Sequence, residues 1–410
     1  MIERHPSSPE EALYNVYGRK PPVQFLGRLK TEEYLVKNSF FDDLYLVEEL
    51  QYYAEDDGTE INVECNYGAS LLNWLYDCTR INPLPPHYYC ETCKRTLTGF
   101  QGDGWDLPPL ECCGKPMVRD GHSIPIEVML RRLEDPKCGL EIRIAKSFSD
   151  KAVEIIKKYY KRMKIAVVSF ETEEDENDDI KFVLIPKDKA IPAMDENGVW
   201  HTDWDELFHS KFRRITLYSR DIKEQLRNFR KKTGLNPTVD DLLTVPVMAT
   251  TQAKLTAKIV EEGGTPLKAD DPAFSSLLKT IGYLKSSHSA ANPMLTEKEA
   301  RYSDVFTCRE EVFDLLHDAL KPEYGISMEF VKKVTWKTRS GQYTRNRMEQ
   351  GTERVLRGIG ISDHWITQMK ETSFLRGKSD LINYLLEELE LTWFELQEEK
   401  ESEAATESGI

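Results

Sequence analysis

Two cysteine pairs constrain this chain more tightly than any other feature of it. In "YYCETCK" Cys90 and Cys93 form a CxxC knuckle, and in "LECCGKP" Cys112 and Cys113 stand side by side ahead of Gly114. Two separated pairs of thiolates can close a tetrahedron around zinc, so such a stretch folds as short hairpins around a structural ion rather than around an apolar core. A regular second knuckle would place its first cysteine at position 110, which is Leu110 here. Either all four cysteines ligate, or His87 or His122 completes the set. Eight cysteines in 410 residues are too sparse for a disulfide framework. The remaining four, Cys65, Cys78, Cys138 and Cys308, read as plain buried thiols.

The knuckle is a small part of the whole. A chain of 410 residues, 40% hydrophobic and 10% aromatic, can bury two or three domain-sized cores. Its longest apolar runs, such as "IAVVSF" at 165–170, fall far short of the roughly 20 residues that span a bilayer, and "MIERHPSSPE" has no apolar signal core. The chain therefore reads as soluble and cytoplasmic, with no membrane partner.

Five parts are expected. Residues 1–86 open with the helical "SPEEALYNVYG", capped by Ser8, and continue through "NSFFDDLYLVEELQYYAEDDG" to a short strand, "TEINVEC", and a glycine turn that opens a helix, "NYGASLLNWLYD". Residues 87–122 are the turn-rich, zinc-ribbon-like insertion. Residues 123–218 hold the helix "DKAVEIIKKYYKRM" and the strands "KIAVVSF" and "IKFVLIP". From 219 to 396 the pattern is helical, broken by turn signals such as "TGLNPT" and "EEGGTP", and 397–410 is an acidic tail expected to be disordered. This is an α/β region followed by a mainly α-helical one.

The net charge of −15 argues against a protein that coats nucleic acid, but affinity for phosphate depends on local patches. Much of the acid lies in "ETEEDENDD" at 171–179 and in the tail. Two basic stretches stand apart from it. In "RDIKEQLRNFRKK" the residues Arg220, Lys223, Arg227 and Arg230 fall at helical spacings that make one cationic stripe. In "VKKVTWKTRSGQYTRNR" at 331–347, Lys332, Lys333, Lys337, Arg339, Arg345 and Arg347 interleave with Trp336 and Tyr343, which suits backbone phosphates and stacked bases. A solvated helix face is the plainer reading of each.

Three dense motifs carry a resemblance. "INPLPPHYYCETCKRT" at 81–96, "GDGWDLP" at 102–108 and "RDGHSIPIEVML" at 119–130 together strongly resemble the PolC-type DNA polymerase III alpha subunit of low-GC Gram-positive bacteria. The likeness runs from "EEALYNVYG" to about residue 396, with "DPAFSSLLKTIGYLKSS", "FTCREEVFDLL" and "GISDHWITQMKE" similar to the family's fingers. It implies a palm with a nucleotidyltransferase fold like that of polymerase beta, an inserted cysteine knuckle, and helical fingers. The family's exonuclease, PHP domain, oligonucleotide-binding domain and clamp-binding tail have no counterpart in this sequence.

The resemblance also says where the chemistry should be. Two-metal phosphoryl transfer needs carboxylates that hold two cations roughly 3.5–4 Å apart. The family supplies two aspartates as Asp-x-Asp on one strand and a third on a later strand. Here "LEIRIA" puts Glu141 and Arg143 at the first two positions, and "FHSKFRRITLYSR" puts Thr216 at the third. Arginine cannot ligate a metal and keeps its positive charge where cations should bind, so no catalytic residues and no Mg²⁺ are expected. In the triphosphate-holding turn, "ECNYGAS", Gly68 and Ser70 persist while Glu64 replaces the family's arginine. Arg376 and Lys378 in "SFLRGKSD" match the nucleotide-gripping motif of the fingers loosely. Asp203 and Asp205 in "HTDWDE" form another Asp-x-Asp, but in a segment polar enough to be a loop. "RGIGIS" at 357–362 reads either as a plain turn or as that of a DNA-backbone-binding helical hairpin.

The expected protein is thus a PolC-like paralogue, of phage or mobile-element origin, that has lost nucleotidyl transfer and acts in DNA replication by binding primer-template DNA or replication proteins. A diverged but active DNA-directed DNA polymerase is one alternative. A protein-protein scaffold that binds no nucleic acid, which the acidic charge favours, is the other.

Overall fold

The computed structural model describes residues 8–36, 41–126, 139–171, 179–203, 212–268, 273–288, 300–320 and 350–407. They form two compact units, Met1–Asn236 and Pro237–Ile410. The helix Asp221–Thr233 belongs to the first unit. Gly234, in the left-handed region at φ +69°, ends that helix.

The first unit begins with three helices, Pro9–Tyr17, Val23–Val36 and Phe41–Asp56. Ser8 caps the first as expected, its hydroxyl accepting from the Glu11 N–H at 3.2 Å. After them come β1 (Asn62–Val63), the short helices Cys65–Gly68 and Leu71–Leu75, and the hairpin strands β2 (His87–Tyr89), β3 (Thr96–Leu97), β4 (Glu111–Cys112), β5 (Lys115–Pro116) and β6 (Val118–Asp120). The chain continues through β7 (Leu140–Ile144), the helix Ser149–Arg162, β8 (Ala166–Glu171), β9 (Ile180–Ile185), β10 (Val199–His201) and β11 (Arg213–Ser219).

Six of these strands make one mixed sheet in the order β1-β7-β11-β9-β8-β10, parallel at β7/β11 and β8/β10 and antiparallel elsewhere. Helix Ser149–Arg162 buries Ala152, Ile155, Ile156, Tyr159 and Tyr160, the spacing of one helical face. It packs with the N-terminal helices against Leu140, Ile142, Ile144, Phe182, Leu184, Ile215 and Leu217, which form one face of the sheet. On the other face the distal strands carry a small apolar cluster, Val168, Phe170, Val183, Ile185 and Trp200. The proximal strands β7 and β11 instead present Glu141, Arg143, Thr216 and Tyr218 there.

The second unit is helical apart from a two-stranded sheet of β12 (Ser287–His288) and β13 (Thr372–Phe374). Helix Val245–Glu261 buries Val247, Thr251, Leu255 and Ile259 at every fourth position and packs on Phe274–Leu284 and Lys378–Glu407. Helix Lys378–Glu407 runs through most of the acidic tail. Glu, Leu, Lys and Ala are strong helix formers, and the exposed 399–403 stretch keeps its charges in water. "RGIGIS" joins helix Gln350–Gly358 to helix Asp363–Glu371, with Gly360 at φ +90°. Among the described residues no helix is long and apolar enough to cross a membrane.

Candidate functional site

Strand alternation and register bring the three positions singled out in the sequence together. Leu140, Ile142 and Ile144 point into the core, so Glu141 and Arg143 share the opposite face. The register sets Thr216 beside Glu141 and Tyr218 beside Arg143 across β7/β11. On the other side β1 sets Asn62 beside Arg143, and the Glu64 N–H donates to the Glu141 carbonyl at 2.8 Å. Lys181 of β9 lies beside Thr216.

The Arg143 side chain is buried here, 1% exposed, with Nε 3.2 Å from Oε1 of Glu64, which is 6% exposed. Desolvating both charges is expensive, and each offsets the other's cost only while both are present. The site thus holds a buried cation where the resemblance calls for carboxylates with bound metal, and Glu64 is paired with that cation. Asp203 lies in an exposed loop, and Asp205 is outside the described residues.

The glycine turn of "ECNYGAS" is closed on itself. Ser70 is fully buried; its hydroxyl accepts from the Asn73 N–H at 3.4 Å and donates to Glu32 Oε2 at 2.9 Å. Glu32, also fully buried, accepts from the N–H groups of Leu71 at 3.0 Å and Leu72 at 3.2 Å. The first N–H groups of helix Leu71–Leu75 therefore already face a protein carboxylate. Arg28 donates from Nε to Glu32 at 2.5 Å, from Nη2 to the Ala69 carbonyl at 3.1 Å, and from Nη1 to the Ile124 carbonyl at 2.7 Å. Gly68 itself ends the short helix Cys65–Gly68, so the turn expected at the glycine is made by Ala69 and Ser70. Sequence reasoning missed Arg28 and Glu32. The available signal was Glu32 in register with Phe25 and Leu29 on the buried face of its helix, an acid at a core position.

The four cysteines converge. The Sγ atoms of Cys90, Cys93, Cys112 and Cys113 all lie within 4.8 Å of one another, with Cys93 to Cys112 at 3.6 Å and Cys112 to Cys113 at 3.8 Å. Sulfurs on a tetrahedral zinc with bonds of about 2.3 Å would stand roughly 3.8 Å apart, so the set fits the ion. Adjacent cysteines can both serve because β4 and β5 are joined by a two-residue turn with both residues left-handed, Cys113 at φ +54° and Gly114 at φ +71°. Backbone N–H groups of Cys93 and Thr92 donate to the Cys90 sulfur and lower its thiol to about 6, against the effect of burial, favouring the thiolate a metal needs.

Neither histidine weighed as a ligand is in reach of that role. His87 has Nδ1 2.7 Å from the Pro85 carbonyl and Nε2 2.9 Å from the Tyr17 hydroxyl. The carbonyl only accepts, so Nδ1 carries the proton and Nε2 accepts from Tyr17; burial lowers the ring's pKa. His122 has Nδ1 3.0 Å from both oxygens of Asp103 and packs edge-on to Trp105. Asn82 extends this buried network, donating to Tyr17 at 3.0 Å and to Asp120 at 2.8 Å. The motifs "INPLPPH", "GDGWDLP" and "RDGH" thus build the base on which the knuckle stands. Gly104 is required there, since a Cβ would fall 2.1 Å from the Asp120 carbonyl oxygen. Cys78 and Cys308 are buried thiols as expected; the side chain of Cys65 and residue Cys138 lie outside what the structure describes.

At helix Asp221–Thr233 three of the four residues of the cationic stripe meet acidic partners. Lys223 is buried, 4% exposed, Arg227 pairs with Asp57 at 2.8 Å, Arg230 with Glu60 at 3.3 Å, and Arg220 with Asp179 at 3.0 Å. These four residues dock the helix onto its own unit and do not make an open basic face. The second basic stretch, with Lys332, Lys333, Lys337, Arg339, Arg345 and Arg347, lies outside the described residues.

In the second unit the guanidinium of Arg376 sits over the rings of Phe374, at 5.5 Å, and Tyr384, at 5.3 Å. The Lys378 backbone N–H donates to buried Glu310 at 2.8 Å, and burial raises the pKa of that carboxyl despite the nearby Arg309.

Comparison with known proteins gives a consistent answer at low identity. No family model matches. The chain is similar to the PolC-type DNA polymerase III of Thermotoga petrophila, 22% identical over 460 aligned residues that cover 93% of this chain and 33% of that protein. It is 24% identical to the PolC-type DNA polymerase III of Oceanobacillus iheyensis over 438 residues, 87% of this chain and 29% of the relative. A shorter stretch of 144 residues, 34% of the chain and 10% of the relative, is 31% identical to the PolC-type enzyme of Bacillus subtilis. The chain thus resembles a PolC region over about nine-tenths of its length, and it spans about a third of the length of these curated relatives.

Proposed function

We propose that this chain is a PolC-related protein of DNA replication that binds primer-template DNA or a replication partner without extending DNA. Its first unit is read as a nucleotidyltransferase palm with an inserted zinc knuckle, and its second as fingers. The observation that carries the reading is the buried Arg143–Glu64 pair, 3.2 Å apart, on the strand face where Glu141, Arg143 and Thr216 come together. A cation fixed there opposes the two metal ions that nucleotidyl transfer needs, by like-charge repulsion in a poorly solvated site.

The zinc ion assigned to Cys90, Cys93, Cys112 and Cys113 would be structural, holding the β4–β5 turn against the β2–β3 knuckle. Contacts to DNA are assigned to 331–347, whose lysines and arginines alternate with Trp336 and Tyr343. One observation favours the reading as a scaffold without nucleic acid: the internal neutralisation of Arg220, Arg227 and Arg230 on a chain of net charge −15.

The test is fluorescence anisotropy of a labelled primer-template titrated at several salt concentrations, with Mg²⁺ and nucleotides added and the products resolved for extension. Salt-sensitive binding without extension is expected. Extension would overturn the role given to Arg143, and failure to bind at low salt would favour the scaffold.

A further inference from the structure

The Arg28 side chain bridges the exit of the zinc-ribbon-like insertion and the turn before helix Leu71–Leu75. The exit of the insertion runs antiparallel to its entry: the N–H groups of His122, Ser123 and Ile124 donate to the carbonyls of Asn82, Leu84 and Pro83 at 3.0 Å each. Gly121 turns the chain into this ladder at φ +99°, where a Cβ would fall 2.4 Å from the Pro85 carbonyl oxygen. The ladder ends at Ile124, whose carbonyl accepts from Arg28 Nη1 at 2.7 Å. The other two nitrogens of that guanidinium reach Ala69 of the turn, at 3.1 Å, and Glu32, at 2.5 Å. Glu32 in turn receives Ser70 Oγ, Leu71 N and Leu72 N. The Arg28 side chain is only 11% exposed, so water cannot readily replace a lost partner.

We propose that Arg28 is a positioning residue that makes the order of the glycine turn depend on metal binding at the four cysteines. Zinc fixes the knuckle, the knuckle fixes the ladder at 122–124, and Arg28 transmits that position to Ala69 and Glu32. When the metal leaves, Ile124 withdraws its acceptor, the guanidinium loses one of three anchors, and the carboxylate that caps helix Leu71–Leu75 is held less firmly. A lysine at this place could still pair with Glu32, but a compact ammonium on a flexible stem cannot span three segments in one plane. The inference rests on the metal reading of the cysteines given above.

Hydrogen exchange on the full chain, zinc-loaded and after chelation, tests it, with zinc stoichiometry measured in parallel. In the unaltered protein, zinc removal should speed exchange at the Leu71 and Leu72 amides about tenfold, alongside those of residues 90–95, while the β7 and β11 amides hold. In Arg28→Lys the turn amides should exchange at one rate with or without zinc. Zinc loss that loosens the knuckle and leaves Leu71 and Leu72 unchanged would overturn the coupling, as would metal sensitivity that survives in Arg28→Lys. Equal acceleration of β7 and β11 would also overturn it, because the effect would then be general loosening. Should Arg28→Lys not fold, Cys113→Ser offers the same comparison with Arg28 intact: acceleration at Leu71 and Leu72 supports the coupling, and unchanged rates overturn it. A chain that takes up no zinc would remove the metal reading itself, which the stoichiometry distinguishes from zinc that binds without effect on the turn.

Discussion

Arg143 and Glu64 form a buried ion pair, Nε to Oε1 at 3.2 Å, between strand β7, second in the sheet, and the residue that follows the edge strand β1. The two charges come from segments far apart in the chain, and each offsets part of the other's cost of burial. Glu64→Gln should therefore cost about 3–5 kcal/mol by removing the negative charge that faces a buried cation, whereas the double change Glu64→Leu with Arg143→Met should be close to neutral. Calorimetric unfolding of the two variants separates these outcomes.

Removal of metal should act on the knuckle first. One zinc per chain is expected, and Cys113→Ser should lower occupancy, since a fourth thiolate is lost from a set whose sulfurs lie within 4.8 Å of one another. Structural zinc contributes on the order of 10–16 kcal/mol of apparent folding free energy to isolated finger peptides, so chelation should release the β2–β6 region. Metal analysis and the near-ultraviolet signal of buried Trp105 report both effects.

The docking of helix Asp221–Thr233 should be acid-sensitive. Burial alone would raise the Glu60 carboxyl, but Arg80, Arg230 and Lys223 outweigh it and bring the group from 4.5 to about 2. Asp57, opposed by burial but paired with Arg227 and Lys231, is also lowered. These carboxylates are more acidic folded than unfolded, so their contribution is full above about pH 4.5 and is lost as pH falls toward 2. Glu60→Gln should flatten the stability-pH curve over that window, as followed by urea unfolding at each pH.

The two basic stretches should respond differently to substitution. Arg227→Ala and Arg230→Ala should weaken helix docking and leave the salt dependence of DNA binding unchanged, because both side chains are paired internally. Alanine at Lys332, Lys333 or Lys337 should reduce the slope of log affinity against log salt by about 0.9 for each phosphate contact removed. Equal slopes in both sets would remove 331–347 from the DNA interface.

Loss of the buried carboxylate beneath the glycine turn should be costly. Glu32→Gln keeps the shape but removes the charge that receives Arg28, Ser70, Leu71 and Leu72, with an expected loss of about 3 kcal/mol. Denaturant unfolding checks the size, and Glu32→Asp, which keeps the charge on a shorter arm, should recover part of it.

Much was decided by the sequence alone, and always where the determinant is local. The strands at 166–171 and 180–185, the face of Ala152, Ile155, Ile156, Tyr159 and Tyr160, and the cap at Ser8 follow from periodicity and capping that act within a few residues. The four cysteines announced a shared site through their spacing, and strand alternation was enough to place Glu141 and Arg143 on one face.

Tertiary structure decided what each charge does. The stripe from Arg220 to Arg230 looks the same on paper whether it faces water or Asp57, Glu60 and Asp179, because its partners lie far away in sequence. Arg28 and Glu32 stand four apart on one helix, and only the fold brings Ser70, Leu71 and Ile124 against them. Likewise, the pairing of Cys112 with Cys113 became workable only through the left-handed turn at Cys113 and Gly114. Burial and long-range register set the value of a charge or a ligand, and neither is a property of the residue or of its neighbours in the chain.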